Sequence, residues 1–273
     1  MTTVATPEDQ LALYRSRREQ SVVQPRGNLA LVGTQWVNAE QPIYGVPGMW
    51  APLPVGESGL MVTAVASDNI LVNGTLVDGS AIVAGKDAAT PGEVIFSSTL
   101  SGFVVASEEG LYALRVWDSE SEAIKNFGGI DAFAYNPEWV ITAEWIEIPG
   151  GTTVGIEHLK DDGKPRDRVM PGEIRFSKDG VDYHLAAFKE GRALLLVFAD
   201  STNGVSSYSV GRFLLIAPNV DDSITLDFNR AYLPPCAFNY NFNCPLPPAQ
   251  NRFTVPIEAG EKNAMDASGS LLH

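Results

Sequence analysis

The residues best suited to chemistry are concentrated between Leu226 and Lys262. This segment reads LDFNRAYLPPCAFNYNFNCPLPPAQNRFTVPIEAGEK, and we call it the cassette. Its paired prolines force an extended backbone that makes few hydrogen bonds. A simple connector would not be so rich in arginine, asparagine and aromatic groups, so we expect the cassette to have a specific role. It either forms a ligand site or is an ordered loop that caps the end of a β-structure.

The ionic groups of the cassette, with those just before it, indicate what chemistry a site would perform. Arg212 and Arg230 would hold a carboxylate or phosphate, because a guanidinium matches the geometry of both anions. The candidate acids, bases and nucleophile are Asp200, Asp227, Glu261 and Cys236. The candidate ligand-binding residues are Arg115, Arg212, Asn229, Arg230, Tyr232 and Lys262.

Arginines at strand ends also have a structural interpretation. Arg212 stands before the apolar run FLLIA, so it is expected to be buried and to need a carboxylate from Asp200 or Asp227. If Arg230 pairs with a buried carboxylate, Arg230→Ala should destabilise the fold by a few (~3) kcal/mol. Arg115 precedes Trp117 and Asp118 near a strand end, where an ion pair anchoring the strand is the simpler explanation.

Several kinds of site have no support in the sequence. The three histidines are not at metal-binding spacing, and Cys236 and Cys244 lie eight residues apart rather than in a CxxC pair, so no metal is predicted. No nucleophile elbow, phosphate loop or dinucleotide fingerprint occurs, and no cofactor is predicted. The two cysteines are either a redox pair or reduced, buried thiols, and the second alternative is favoured.

The composition limits the partners. A net charge of −14 and a pI near 4.6 argue against nucleic acid and against an anionic membrane surface, both of which need a basic footprint. The first 25 residues lack the apolar core of a signal peptide, and no apolar run approaches the length of a membrane span. A cytoplasmic location is therefore expected. The possible partner is a small anionic molecule, because Arg212 and Arg230 could hold its charge.

The elements that must position these residues are mainly strands. Residues 7–20 predict a helix with Thr6 as its cap, and the RSRR run at 15–18 is interpreted as a solvated face. Short β-branched runs with turns every 8–12 residues follow, and Asn73-Gly74 and Lys178-Asp179-Gly180 predict hairpins. The fold class is mainly β, an antiparallel barrel or sandwich in two β-rich halves with an N-terminal helix.

The same patterns give boundaries along the chain. The predicted divisions are an N-terminal helical segment at 1–25, a β-rich half at 26–136, a barrel-like half with a proline-rich capping loop at 137–262, and a disordered tail at 263–273. The apolar runs Leu194–Ala199 and Phe213–Ala217 are expected to be central strands covered on both faces.

Longer motifs add a resemblance. LDFNRAY-x-PPCAF, CPLPP-x-x-NR and I-x-AGEK, preceded by FADSTNG-x-x-SY-x-x-GRFL, look like the bacterial family known as domain of unknown function 1684. The resemblance extends from about Leu11 to Lys262. Two positions depart from it: Leu233 stands where that family commonly has Asn, and Asn28 where a Trp usually precedes LVG. The resemblance implies where to look for function but no activity.

Two functions are left open. In the first, the cassette closes a pocket for an anionic ligand, with an enzyme as one possibility. In the second, the chain is a non-catalytic β module for protein–protein interaction, and the ionic pairs only hold the structure together. A cavity lined by unpaired Arg212 or Arg230 would support the first function, and a solid, fully paired network would support the second.

Overall fold

The computed structural model describes residues 5–107 and 109–272, and they form a mainly β protein. Strands account for 45% and helices for 14% of the structure, so the predicted class is confirmed. The chain divides into two units. The inserted unit is Gln20–Asn126, and the host unit is made of the chain up to Glu19 together with the chain from Phe127 onward. The expected boundaries at 25 and 136 therefore lie several residues from the observed ones.

The N-terminal helix, α1, spans Pro7–Val22 and begins as its sequence predicts. The Thr6 hydroxyl accepts a hydrogen bond from the Asp9 amide at 3.1 Å, and the Asp9 carboxylate accepts one from the Thr6 amide at 3.0 Å. This reciprocal pair satisfies backbone donors that the first turn of a helix leaves open. The helix therefore starts at Pro7 for a local reason.

The described residues of the inserted unit form ten strands in two antiparallel sheets. The strand order is β1-β10-β9-β8-β5-β6 in the first sheet and β2-β3-β4-β7 in the second. A short helix, α2 (Glu122–Lys125), follows the last strand. The strands are β1 (Leu31–Trp36), β2 (Gln41–Pro42), β3 (Met49–Pro52), β4 (Leu60–Ala64), β5 (Leu71–Val72), β6 (Thr75–Leu76), β7 (Gly79–Val83), β8 (Val94–Ile95), β9 (Leu100–Ala106) and β10 (Tyr112–Asp118).

The predicted hairpin at Asn73-Gly74 joins β5 to β6. Both turn residues have positive φ, 51° and 80°, which is the conformation that a two-residue type I′ loop requires. The strands on either side pair as the hairpin demands, with Val72 opposite Thr75. This local prediction is confirmed.

In the part of the host unit that the structure describes, nine strands form three antiparallel sheets. Their orders are β11-β19, β14-β13-β12-β18 and β15-β16-β17. Among the described residues no sheet closes on itself, so the choice between barrel and sandwich stays a prediction. The strands are β11 (Phe127–Ala132), β12 (Val140–Ile156), β13 (Arg166–Lys178), β14 (Val181–Ala186), β15 (Phe188–Glu190), β16 (Ala193–Phe198), β17 (Arg212–Ile216), β18 (Ser223–Asp227) and β19 (Glu261–Asp266).

The longest pairing is the β12–β13 hairpin. Sequence patterns predict two separate strands, 139–148 and 152–158, where the structure has the single strand β12. Gly150 and Gly151, both with positive φ, fall at a shift of register between Glu147 and Thr152, so the strand continues through an irregularity that resembles a turn in sequence. The predicted turn at Asp179-Gly180 joins β13 to β14 and is confirmed.

Strand β16 lies at the centre of the host unit and is buried on both faces. Leu194, Leu196 and Phe198 enter one apolar cluster with the inner face of the β12–β14 sheet, while Leu195 and Val197 enter a second cluster with the cysteines. The expectation of a central strand is confirmed for β16. Sequence patterns also predict a strand over residues 207–217. In the structure only Arg212–Ile216 is a strand, and residues 207–211 are irregular.

The expected disordered tail is the strand β19 and a turn. Glu261–Asp266 pairs antiparallel with Phe127–Ala132, and the Leu272 amide donates to the Ala264 carbonyl at 2.9 Å. The prediction was wrong because a small, polar composition describes an edge strand as well as a disordered one. The cassette between β18 and β19 carries three short 3-10 helices, at Phe228–Arg230, Pro235–Ala237 and Ala249–Asn251.

Candidate functional site

The centre of the candidate site is a buried ion pair between Arg212 and Asp200. Arg212 Nη2 lies 2.6 Å from Asp200 Oδ2, and both side chains have no exposed surface. Arg212 is the first residue of β17, and Asp200 follows β16, the strand paired with it. Antiparallel pairing therefore brings the two charges to the same end of the sheet, where each removes the cost of burying the other alone.

The two Nη atoms of Arg212 also donate to the cassette backbone, whereas its buried Nε has no hydrogen-bond partner among the described residues. Nη2 also donates to the Ile257 carbonyl at 2.8 Å, and Nη1 donates to the carbonyls of Ala259 and Glu261. The aromatic ring of Phe198 lies 5.2 Å from the guanidinium carbon. Burial lowers the pKa of Arg212, whereas the Asp200 carboxylate favours its charged form. The guanidinium is thus enclosed by internal acceptors.

The Asp200 carboxylate is equally occupied. Its Oδ1 accepts hydrogen bonds from the Thr202 amide at 2.8 Å and the Ile257 amide at 3.3 Å. Between Thr202 and Ser207 a hydroxyl–hydroxyl hydrogen bond of 2.7 Å closes the turn that follows. The acid–base role considered for Asp200 needs a carboxylate that reaches a substrate, and here both oxygens face protein groups.

A second buried carboxylate, Glu261, joins helix α1 to the cassette. Arg18 Nε and Nη2 donate to its two oxygens at 2.9 and 3.2 Å, and the Leu233 amide donates to Oε2 at 2.7 Å. Glu261 is 2% exposed. The Arg18 guanidinium also stacks 4.8 Å from the centre of the Tyr232 ring. Charge-assisted bonds of this bidentate kind fix orientation as well as charge.

Helix α1 makes further polar contacts with the host unit. The Tyr14 hydroxyl donates to the Arg230 carbonyl at 2.9 Å, and Arg15 Nη2 donates to the Phe133 carbonyl at 2.6 Å. Burial, followed by the Glu261 charge, raises the pKa of Tyr14 to about 12, so it remains a donor at neutral pH. The interpretation of the RSRR run as a solvated face was therefore wrong for Arg15 and Arg18.

Two buried asparagines clamp backbone segments. The Asn229 side chain exchanges two hydrogen bonds with the backbone of Asn136, at 2.7 and 2.9 Å. Asn251 does the same with Ala186, at 2.8 Å in both directions, and also donates to the Val197 carbonyl at 2.7 Å. Each amide imitates the paired backbone contacts of a strand neighbour. Asn229, a candidate ligand-binding residue, thus has its oxygen and nitrogen engaged.

Arg230, Lys262 and Arg115 lie outside this buried network. The Arg230 side chain is 47% exposed, and its Nε is 3.3 Å from Asp227 Oδ2. Lys262 Nζ pairs with Asp131 at 2.6 Å. Arg115 is on β10 in the inserted unit, opposite Thr34 and Phe103 in the strand register. Its partner Asp227 is also partly exposed. The described ion pair of Arg230 therefore does not involve a buried carboxylate.

Cys236 and Cys244 are buried in the apolar cluster on one face of β16. Both cysteines are in the thiol form, and the Cys236 amide donates to Cys244 Sγ at 3.3 Å. Tyr232 contributes to the same cluster, and burial raises the pKa of its hydroxyl. Within the described residues no three His, Cys, Asp or Glu side chains converge on a position for a metal ion.

An open cleft of about 700 Å³ lies in the inserted unit. Neither Arg212 nor Arg230 lines it. Its walls are made of Gly48, Met49, Thr63, Ala64, Val65, Asp68, Asp78 and Gly79. Across residues 5–107 and 109–272, no helix is long and apolar enough to cross a membrane.

Comparison with known proteins locates the similarity in the host unit. A family model described as "Protein of unknown function (DUF1684)" matches residues 125–262, which include the cassette, Asp200 and Arg212. No curated protein matches the chain. Among solved structures, the solution NMR structure of an uncharacterized protein of Haloarcula marismortui is 34% identical. The similarity covers 50% of this chain and 77% of that one, with a TM-score of 0.41.

Proposed function

This chain belongs to the family described as protein of unknown function DUF1684, and we propose that its host unit is a non-catalytic β module for binding a protein partner. One observation carries the proposal: the charged ends of the buried pairs Arg212–Asp200 and Arg18–Glu261 are bonded to groups of the protein itself. Arg212 has no exposed surface and donates to Asp200 and to three cassette carbonyls. Charged groups that are fully buried and bonded to protein atoms stabilise a structure and are not accessible to a substrate.

Under this function the outer surface makes the contacts with the partner. A chain with a net charge of −14 attracts a partner with a basic face, and such an encounter weakens as salt screens the charges. We therefore expect a specific partner protein to be retained at low ionic strength and to be released in part at high ionic strength. Retention that is independent of salt would contradict the electrostatic part of the proposal.

The test of the structural role uses ligand-induced thermal shift. Because Arg212 is buried and paired, we expect that no metabolite anion raises the melting temperature of the wild-type protein by binding to Arg212. The matched variant is Asp200→Asn/Arg212→Met, which removes both charges and keeps an oxygen at position 200 for the Thr202 amide. An anion that stabilises the wild type but not the folded double variant would sink the proposal, because stabilisation by a ligand reports binding to the native state.

An anionic-ligand site is a second candidate, and the exposure of Arg230 is what favours it. Its guanidinium is 47% exposed, has one described carboxylate partner at 3.3 Å, and lies 5.8 Å from the centre of the Tyr14 ring. A guanidinium in this position has donors available for a carboxylate or phosphate. The ligand would then sit at the start of the cassette rather than at Arg212.

Arg230→Gln separates the two candidates. An exposed pair contributes about 0–1 kcal/mol, so the variant should melt close to the wild type. If the ligand site exists, inorganic phosphate or citrate raises the melting temperature of the wild type in a dose-dependent way and leaves that of Arg230→Gln unchanged. Equal responses of the two proteins would remove Arg230 as a ligand-binding residue.

A further inference from the structure

Cys236 and Cys244 stand at the two ends of a loop within the cassette. They are 2% and 4% exposed and belong to one apolar cluster. The Cys236 amide donates to Cys244 Sγ at 3.3 Å, and the two thiols also hydrogen-bond to each other. The fold thus holds together two sulfur atoms that the sequence separates by eight residues.

Neighbouring backbone contacts hold both ends of this loop. Pro234 and Pro235 restrict the chain before Cys236, and Pro245 restricts it after Cys244. The Cys244 carbonyl accepts a hydrogen bond of 3.0 Å from the Leu159 amide, at the tip of the β12–β13 hairpin. Because these contacts do not involve sulfur, they hold the loop ends in place whichever bonds the sulfurs make.

A third group, Tyr208, completes the cluster. Its hydroxyl hydrogen-bonds to the Cys236 thiol, and burial together with Cys236 raises the pKa of Tyr208. Hydrogen bonds from Cys244 and Tyr208 lower the pKa of Cys236 against the opposing effect of burial. Cys236 is therefore the thiol prepared to lose its proton, and the thiolate is the nucleophile in thiol chemistry.

We propose that Cys236 and Cys244 are a redox-active pair that interconverts between a dithiol and an intramolecular disulfide. The oxidant is another disulfide, either of low molecular weight or on a protein. The Cys236 thiolate attacks one sulfur of the oxidant, forms a mixed disulfide and releases the first thiol. Cys244 loses its proton and attacks Cys236 Sγ, which forms the internal bond and releases the second thiol. Two electrons and two protons leave the protein with the two product thiols.

Oxidation has a structural consequence next to the Asp200–Arg212 pair. A sulfur that has joined a disulfide no longer offers Tyr208 a thiolate acceptor. The Tyr208 amide donates to the Lys262 carbonyl, and its own carbonyl accepts from Asn203 Nδ2, at 2.9 Å in both cases. Tyr208 therefore contacts both Cys236 and the turn that begins at Asp200.

The decisive measurement is the equilibrium constant of disulfide formation in glutathione buffers of graded ratio. Samples refold from urea in each buffer, so that access to the buried thiols does not limit the reaction, and are then alkylated and weighed. We expect the constant for the folded protein to exceed that of the chain in urea by at least about tenfold, because the fold already holds the sulfurs together. An equal or lower constant in the folded protein overturns the proposal.

The order of attack has its own test. With oxidised glutathione, Cys244→Ser should accumulate one glutathione on Cys236, whereas Cys236→Ser should react more slowly at Cys244. Tyr208→Phe should shift the rate of adduct formation on Cys236 to higher pH, and Tyr183→Phe, an aromatic residue stacked on Phe253 in the other cluster, should not. Faster reaction at Cys244 than at Cys236 would refute the assignment of Cys236 as the attacking thiol.

Discussion

The two units differ in what they bury. Among the described residues, the buried polar side chain of the inserted unit is Ser121, whereas the host unit buries many. Those of the host unit are His158, Asp200, Thr202, Ser207, Arg212, Asn229, Asn251 and Glu261. The core of the inserted unit consists of apolar side chains on its two sheets. Both units are built mainly from strands, but the inserted unit is stabilised mainly by apolar packing, whereas the host unit also buries polar and charged side chains.

The difference follows from the backbone that each unit must satisfy. In the inserted unit a six-stranded and a four-stranded sheet supply hydrogen-bond partners to the described strands. Between β18 and β19 the host unit has a segment without ladder strands among its described residues, and its amides and carbonyls need other partners. Glu261 and Arg212 provide them for Leu233 and Ile257, and Asn229 does the same for Asn136 in the segment before β12. Buried polarity therefore accompanies irregular backbone here and does not by itself mark a site.

The largest effect is expected from Arg212→Met. This change leaves the Asp200 carboxylate buried without its counter-charge, which costs about 3–5 kcal/mol of unfolding free energy. Asp200→Asn/Arg212→Met should recover at least about 1 kcal/mol of that loss, measured by urea unfolding, because no isolated charge remains. A double variant as unstable as Arg212→Met would mean that the lost contacts to the cassette carbonyls, rather than the charge, dominate.

A smaller loss, about 2–3 kcal/mol, is expected for Asn251→Leu. The substitution keeps the volume but leaves the Ala186 amide and two carbonyls buried without partners. Urea unfolding measures the loss, and hydrogen exchange should show faster exchange of the Ala186 amide. A change below about 0.5 kcal/mol would break the proposed link between buried amides and irregular backbone.

Ser121→Ala provides the corresponding test in the inserted unit. The Ser121 hydroxyl donates to the Leu29 carbonyl at 2.7 Å and accepts from the Ile124 amide at 3.2 Å, where it caps α2. Loss of such a cap costs about 1 kcal/mol. Thermal unfolding should therefore show a smaller effect than for Asn251→Leu. An equal or larger effect would remove the contrast between the units.

The final test concerns pH and His158. Burial, and after it the Arg166 charge, lowers the pKa of His158 in the folded protein. The unfolded chain therefore binds this proton more readily, and the stability that His158 contributes above about pH 7 is lost as the pH falls. His158→Gln should reduce the drop in melting temperature between about pH 7 and about pH 5. An unchanged slope would exclude His158 as a source of acid sensitivity.

Turn chemistry and charge were sufficient for the local part of the structure. Asn73-Gly74 and Asp179-Gly180 predicted their hairpins because two successive residues with positive φ admit few alternatives. The burial of Arg212 followed from its place before an apolar run, and one of its two predicted partners, Asp200, proved to be the actual one. These inferences needed only neighbours in sequence or across one turn.

Contacts between distant segments could not be predicted in this way. Arg18 and Glu261 are 243 positions apart, so nothing in the RSRR run distinguishes the buried arginine from its solvated neighbour Arg17. Asn251 was noted only as the end of the cassette, because its backbone partner Ala186 lies on another strand. Whether the Arg230 side chain is exposed depends on which segments pack around it, and this cannot be read from the residue type alone.

The division of the chain has a consequence for the order of folding during synthesis. The host unit takes its helix α1 from before the inserted unit and its last strand from Glu261–Asp266, so the contact of Arg18 with Glu261 forms only after Glu261 has been made. The inserted unit is complete by Asn126. Because domains fold as units while the chain emerges, and non-local contacts form late, helix α1 should remain undocked while the inserted unit folds.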